Sequence, residues 1–248
     1  MSLFSGAGGL SLGFKMAGFN IVLALDENRY CAQTFKYNFP GTRFILKDIT
    51  KTSVNELKIA SKKIVPDVLL AGVPCQGFSI AGKRMIDDPR NALYKDFVRI
   101  VKGIKPKCIV MENVVGILSM KTVNRTLVVS EIVQDFNKIG FRVKHRILNA
   151  VNYGVPQIRQ RVVFIGNRVG EPIEYPAETH SNSADMTLDN EALLPFVTVD
   201  EAINDLPILN SGEGNEESEY STSAKSPYQR FMRGSISYEK WLSESKTK

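Results

Sequence analysis

The sequence predicts an α/β fold in which a mostly parallel sheet is covered by helices on both faces. Over residues 1–168, short apolar runs alternate with amphipathic helical patterns, as expected of such a fold. These runs are continuous rather than alternating, which is typical of strands buried on both faces. A chain of 248 residues, 43% hydrophobic and 23% charged, is long enough to bury that core.

The individual elements follow from these runs and from the turn residues between them. Strands are predicted at residues 2–4, 21–25, 65–72, 108–114 and 161–168, with one more ending before Asp48. Helices are predicted at residues 10–19, 28–39, 93–104 and 127–141. In the second helix, Tyr30, Thr34 and Tyr37 recur at helical spacing. Residues 169–248 are poor in apolar runs, so we expect an irregular extension there.

The composition excludes several classes of protein. No apolar run approaches the roughly 18 residues of a membrane-spanning helix, and MSLFSGAGG does not resemble a signal peptide. Three widely spaced cysteines suit neither a disulfide framework nor a CxxC metal site, and two histidines are too few for a histidine-rich metal centre. We therefore expect a cytoplasmic protein without a metal. The net charge of +6 fits a nucleic-acid partner and an ordinary basic protein equally well.

A glycine-rich turn, FSGAGGLSLGF, lies between the first strand and the first helix. Gly6, Gly8 and Gly9 allow a close backbone approach to a ligand, and this turn is the usual nucleotide site of a parallel sheet. Acids follow at later strand ends, at residues 26, 27 and 48. A plain tight turn with solvated acids remains an alternative. Because the spacing does not match Gly-x-Gly-x-x-Gly, an adenosine pocket is favoured over a dinucleotide oxidoreductase.

Reactive residue types lie at the ends of other strands. Cys75, in GVPCQGFS, comes just past a strand end, where ligands bind in open α/β sheets. Glu112 ends the next strand, and Arg159 and Arg161 enter the last one with side chains on the same side. The alternatives are a buried packing cysteine and a solvated strand entry. Cys108 lies inside its apolar run, so we expect it in the core.

Four blocks resemble, in this order, the signature blocks of the DNA (cytosine-5)-methyltransferases: FSGAGGLSLGF, GVPCQGFS, MENVVG and NYGVPQIRQRVVFIG. The resemblance covers residues 2–168, and TVDEAINDLP is also similar to a segment of this family. It implies a Rossmann-like, mostly parallel sheet of the S-adenosylmethionine-dependent methyltransferase type. It also implies a bacterial restriction–modification enzyme that methylates C5 of cytosine in double-stranded DNA.

The resemblance implies a catalytic role for four residues. Cys75, as the thiolate, would attack C6 of a flipped-out cytosine. Glu112 would hold the base at N3 and at the exocyclic amine. Arg161 would contact the base O2, and Arg159 would help to fix the loop and the nucleophile.

The resemblance also implies an S-adenosylmethionine pocket. Its residues would be Phe4, Ser5, Gly6, Ala7, Gly8, Gly9, Asp26, Glu27, Asp48, Ile49, Pro74 and Leu93. Asp26 would contact the ribose, while Asp48 and Ile49 would contact the adenine. The chain departs from the family at two positions, since Asp26 stands where a longer Glu is common and Glu27 where an aromatic residue sometimes stacks on adenine.

A target-recognition region and a last GNxV-like block, both expected of a complete family member, are not found in the sequence. A truncated sequence, an inactive homologue and an enzyme split over two chains, as in the AquI type, remain alternatives; the split enzyme is favoured. We expect double-stranded DNA and a second protein chain as partners. The proposed joining surface includes Tyr228, Phe231, Tyr238 and Trp241. A tRNA methyltransferase and a catalytically silent adaptor of the same fold are the competing functions.

Overall fold

A computed structural model describes residues 1–74, 93–122, 125–182, 193–215 and 217–245. The strands of the main sheet are β1 (Ser2–Leu3), β2 (Leu23–Asp26), β3 (Arg43–Leu46), β4 (Val68–Gly72), β5 (Cys108–Asn113), β6 (Arg142–Asn149) and β7 (Gln160–Asn167). They form one sheet in the order β3-β2-β1-β4-β5-β7-β6. The helices associated with it are α1 (Gly9–Met16), α2 (Arg29–Asn38), α3 (Val54–Ala60), α4 (Leu93–Ile104) and α5 (Val128–Lys138).

The predicted mostly parallel sheet is confirmed. The neighbours from β3 to β5 are all parallel, while β7 runs antiparallel to β5. The carboxyl ends of β1, β2, β4 and β5 therefore meet at one edge of the sheet. This arrangement brings the strand-end residues singled out in the sequence to a common edge.

The sheet separates two apolar cores. The larger core packs Leu69, Ile109 and Phe164 of the strands against α3, α4 and α5, with Phe97 and Phe136 fully buried. The smaller core is formed by Ile21, Ala24, Phe35 and Phe39, with Phe14 of α1 and Phe44 packed against it. Helices α3 to α5 thus lie on one face of the sheet, and α1 and α2 lie on the other.

Contacts divide the chain into two units. The first unit comprises Met1–Ile147 and Arg161–Tyr175, and the second comprises Leu148–Gln160 and Pro176–Lys248. Within the second unit lie β8 (His180–Ser181), β9 (Leu194–Pro195), α6 (Val199–Ile203), α7 (Pro227–Met232) and α8 (Tyr238–Ser245). The predicted domain boundary after residue 168 stays a prediction.

The second unit has an aromatic core of its own. Trp241 is 3% exposed and stacks on Phe231 and on His180, with ring centroids 5.4 and 5.6 Å apart. Gly154, at φ +81°, leaves room for this stack, because a Cβ there would lie 2.5 Å from the Trp241 ring. The prediction that Trp241 anchors a partner chain is therefore wrong, since the indole is used inside its own unit.

One expectation about the first unit is also wrong, that of Cys108, and the structure adds two features that the sequence analysis did not give. In α2 the buried side chains are Ala32 and Phe35, while Tyr30 and Tyr37 are 63% and 81% exposed. Cys108 is not a core residue, because it is the first residue of β5 and only half-buried. The edge strand β6, RVKHRILN, was not predicted; its mostly exposed, charged residues carry no apolar run.

Candidate active site

The glycine turn after β1 has a left-handed backbone at three positions. Phe4, Gly6 and Gly8 have φ values of +49°, +54° and +101°. Gly8 also has no space for a side chain, because a Cβ would lie 2.7 Å from the Phe39 ring and 3.0 Å from the Phe35 ring. Only glycine satisfies both conditions at position 8. The turn therefore exposes its backbone at the amino end of α1, with Ala7 and Gly9 exposed beside it.

Asp26, at the end of β2, braces this turn. Its Oδ2 accepts from the backbone N–H of Gly6 at 2.8 Å, and its Oδ1 accepts from Asn28 N–H at 2.9 Å. The carboxylate thus joins the β1 turn to the start of α2, where the Asn28 side chain caps the helix. Glu27, the next residue, is exposed. The shorter Asp26 therefore has a bracing role, which the sequence did not indicate, beside the predicted ribose contact.

The third strand end carries Asp48 and Ile49. Asp48 Oδ1 accepts from both the backbone N–H and the hydroxyl of Thr50, at 2.8 Å each. The Thr50 backbone hydrogen bond, followed by the hydroxyl, lowers the pKa of Asp48, so the group is an ionised acceptor at neutral pH. Ile49 is 3% exposed, and its backbone begins a short 3-10 turn over Ile49–Lys51. Pro74 and Leu93 are both half-buried.

Glu112 and Arg161 form an ion pair. Arg161 Nε lies 2.7 Å from Glu112 Oε1, and the two side chains are 25% and 32% exposed, respectively. Strand register explains the contact: Glu112 pairs with Val163, and Arg161, two residues earlier in β7, points to the same face. The structure therefore brings together two of the four predicted catalytic residues. A charge-assisted hydrogen bond of this length fixes the direction of the carboxylate.

Asn113 is a functional candidate for which the sequence suggested no role. Its side chain is 3% exposed; the amide donates to the Val73 carbonyl at 3.3 Å, and the amide oxygen accepts from Val114 N–H at 2.8 Å. Asn113 thus ties the end of β5 to the backbone that leads into Pro74. A buried amide that satisfies a carbonyl across two strand ends holds both ends in register. In the sequence, the only indication of such a role for Asn113 is its position next to Glu112.

Arg159 lies in the second unit, and its backbone is held firmly. Its N–H donates to Asn149 Oδ1 at 3.0 Å, and its carbonyl accepts from Ala150 N–H at 3.0 Å. The side chain is exposed. Cys75, the predicted nucleophile, lies outside the described residues.

Two further features of the described residues concern metal binding and membrane insertion. No group of three or more His, Cys, Asp or Glu side chains there is arranged to hold a metal ion. None of the described helices is both long and apolar enough to cross a bilayer.

Comparison with known proteins gives consistent matches. The family model for the C-5 cytosine-specific DNA methylases matches residues 1–245. Type II methyltransferase M.DdeI of Desulfomicrobium norvegicum is 43% identical over 94% of this chain and 54% of its own length. Type II methyltransferase M.AquIA of Picosynechococcus is 40% identical over 84% of this chain and 88% of its own.

The fold is found in solved structures as well. A crystal structure described as a DNA modification methyltransferase from an E. coli prophage superposes with a TM-score of 0.73 at 27% identity, covering 99% of this chain and 68% of the other. The chain spans only about half the length of several curated relatives, such as the 54% of M.DdeI. The family model nevertheless matches residues 1–245, and the chain covers 88% of M.AquIA, which is sufficient to assign the family. The chain belongs to the C-5 cytosine-specific DNA methylase family.

Proposed function

We propose that this chain methylates C5 of cytosine in double-stranded DNA, in the cytoplasm of a bacterium, with S-adenosylmethionine as the methyl donor. The Glu112–Arg161 ion pair is the observation that carries the proposal. It places an oriented carboxylate at the carboxyl end of β5, where the family signature requires the residue that holds the base. Asn113 supports it, because it ties the same strand end to Val73, two residues before Cys75 in the sequence.

The residues around the glycine turn suit S-adenosylmethionine. Ser5 Oγ is buried and has no hydrogen-bond partner among the described residues, so a polar group of a ligand is a suitable partner for it. The turn from Phe4 to Gly9 would lie along the amino acid part of the cofactor. Asp26 and Glu27 would bind the ribose hydroxyls, and Asp48 and Ile49 the adenine. Pro74 and Leu93 would complete the pocket. When bound, the cofactor supplies an electrophilic methyl group.

In the proposed reaction, the Cys75 thiolate forms a bond to C6 as the C5=C6 double bond of cytosine opens. Glu112 accepts from the exocyclic amine and shares a proton with N3, which neutralises the charge that develops on the ring. C5 becomes nucleophilic and would accept the methyl group, with S-adenosylhomocysteine left behind. Arg161 binds O2 and keeps Glu112 aligned, while Arg159 fixes the loop. Loss of the C5 proton to a base and cleavage of the C6–S bond restore the aromatic ring and the thiolate.

Covalent trapping tests this proposal. A DNA duplex with 5-fluorocytosine at the target cannot lose a C5 proton, so the wild-type chain, assayed together with the product of the adjacent gene, should accumulate a Cys75 adduct in the presence of S-adenosylmethionine. Cys75→Ala should give no adduct, and the matched control Cys108→Ala should give the wild-type amount. An adduct that persists in Cys75→Ala refutes the nucleophile. Transfer of labelled methyl groups to DNA and to tRNA, measured side by side, shows which of the two nucleic acids is the substrate.

We further propose that sequence choice and full activity require a second chain. Reading a DNA sequence needs side chains that reach base edges in a groove, and base flipping needs contacts that offset its cost. The match covers 88% of the length of M.AquIA, so a Type II methyltransferase of about this size is similar to the chain. Methylation of plasmid DNA should therefore be weak with the purified chain and strong after addition of the product of the adjacent gene. Full sequence-specific activity of the chain alone refutes the two-chain arrangement.

A further inference from the structure

One guanidinium joins α4 to the turn that follows β3. Arg99, on α4, donates from Nη2 to the Ile49 carbonyl at 2.9 Å and from Nη1 to the Thr52 carbonyl at 3.0 Å. The two carbonyls belong to residues 48–52, which we call the β3 turn and which contain the short 3-10 turn Ile49–Lys51. Arg99 therefore fixes a helix to a turn that lies 47 to 50 positions earlier in the sequence.

Asp96 orients this guanidinium. Its Oδ1 accepts from Nε of Arg99 at 3.0 Å and lies 2.9 Å from Nη2. Asp96 is one turn earlier on the same helix, and its side chain is 24% exposed. The planar guanidinium carries its donors in a fixed fork, so the carboxylate on one side determines where the other N–H groups point. A lysine ammonium has no such fork, so this set of contacts is specific to arginine.

The β3 turn is closed by bonds of its own. The Thr52 N–H donates to the Ile49 carbonyl at 3.1 Å, and the Thr52 hydroxyl donates to the carbonyl of the first residue of the turn at 2.8 Å. Its entry is attached to the sheet, because the Lys47 N–H donates to the Asp26 carbonyl at 3.0 Å. Its exit is attached to α4 by Arg99, and no other side chain of the described residues donates to the Ile49 or Thr52 carbonyl. Loss of the guanidinium should therefore release the turn from α4.

Both partners of this contact carry residues of the proposed cofactor pocket. The β3 turn carries Asp48 and Ile49, the proposed adenine contacts, and α4 begins at Leu93, which would complete the pocket. Arg99 lies six residues beyond Leu93, or about 9 Å along the helix axis. Phe97, between them, is fully buried in the larger core and holds α4 against the sheet. The Arg99 hydrogen bonds thus fix the position of the adenine contacts relative to Leu93.

We propose that Arg99 is a positioning residue for the cofactor: it holds the β3 turn against α4 and so sets the width of the adenine end of the pocket. This inference rests on the proposed S-adenosylmethionine site. Arg99 acts through Ile49 and Thr52, so its loss should weaken binding of the cofactor and leave methyl transfer within the filled site unchanged. S-adenosylmethionine and S-adenosylhomocysteine share the adenosine group, so both should be affected alike.

The test measures equilibrium dialysis of labelled S-adenosylmethionine against the full chain mixed with the product of the adjacent gene, with S-adenosylhomocysteine as a competitor. Arg99→Ala should weaken binding of both ligands at least about tenfold. Arg99→Lys should weaken it less, because an ammonium can donate to one of the two carbonyls. The matched control is Lys102→Ala, which removes an exposed positive charge from the last turn of the same helix and should bind like wild type.

Steady-state kinetics separate positioning from a general loss of stability. For Arg99→Ala, the KM for S-adenosylmethionine should rise by about the factor found for binding, whereas kcat at saturating cofactor should stay within about twofold of wild type. The KM for DNA should not change. A contact between a DNA phosphate and the guanidinium, whose side chain is 40% exposed, would alter it.

Each outcome decides the proposal. A wild-type Kd in a folded Arg99→Ala chain, a fall in kcat without a rise in the KM for the cofactor, or a raised KM for DNA alone overturns it. If Arg99→Ala does not fold, Arg99→Lys takes its place, and a wild-type Kd in that variant overturns the proposal equally. A wild-type chain that binds no S-adenosylmethionine refutes the proposed cofactor site itself, whereas wild-type affinity in every Arg99 variant refutes only the positioning role.

Discussion

Removing the carboxylate of Asp205 should unfold the second unit under mild conditions. Asp205 is 2% exposed, and its Oδ2 accepts from Nε and Nη2 of Arg233, the former at 3.0 Å. Breaking a buried ion pair costs about 3–5 kcal/mol, because the remaining charge stays buried. Arg233 keeps a 2.8 Å hydrogen bond to the Thr222 carbonyl and lies 3.5 Å over the Tyr220 ring. We therefore expect the lower end, about 3 kcal/mol, for Asp205→Ala.

The assay is urea denaturation and, separately, thermal denaturation, both followed by the fluorescence of Trp241, the only tryptophan of the chain. For a unit of 60–100 residues, a loss of about 3 kcal/mol corresponds to a fall in Tm of roughly 12–24 °C. Asp200→Ala, which removes an exposed carboxylate of α6, should change the free energy of unfolding by less than about 0.5 kcal/mol. If the free energy of unfolding of Asp205→Ala also lies within about 0.5 kcal/mol of the wild-type value, the Asp205–Arg233 ion pair does not stabilise the second unit.

Three further perturbations have defined outcomes. Gly8→Ala should cost about 2–5 kcal/mol and abolish S-adenosylmethionine binding by calorimetry, through strain at φ +101° and overlap with Phe39; wild-type affinity would contradict this. Burial lowers the pKa of His180, so the unfolded chain takes up a proton more readily, and the stability reported by Trp241 should fall as the pH drops below about 6.5. His180→Gln should flatten that dependence, and an unchanged profile would exclude His180 as its source. Asn113→Ala should leave the Val73 carbonyl unpaired, reduce kcat at least about tenfold and keep the Kd for S-adenosylmethionine; a changed Kd alone would place its role in the cofactor pocket.

The sequence determined the fold class and the strand ends at which most of the candidate site residues lie, because both depend on local patterns. Continuous apolar runs at residues 65–72 and 108–114 specify buried parallel strands, and residues that follow such runs lie at one edge of the sheet. The glycine turn and the strand-end acids could therefore be located without coordinates. The buried face of α2 could not be identified from the sequence. Tyr30 lies on one face of the helix and Phe35 on another, and only packing against the sheet decides which of the two is buried.

Tertiary structure alone decided which side chains meet. The Glu112–Arg161 contact joins residues 49 positions apart, and it follows from the antiparallel register of β5 and β7, which no local pattern specifies. The second use of Asp26, as a brace for Gly6, depends in the same way on the pairing of β1 with β2. Burial of Trp241 depends on Gly154, far away in the sequence. Local propensity is fixed by neighbours along the chain, whereas register, burial and ion pairing depend on residues that approach only when the chain has folded.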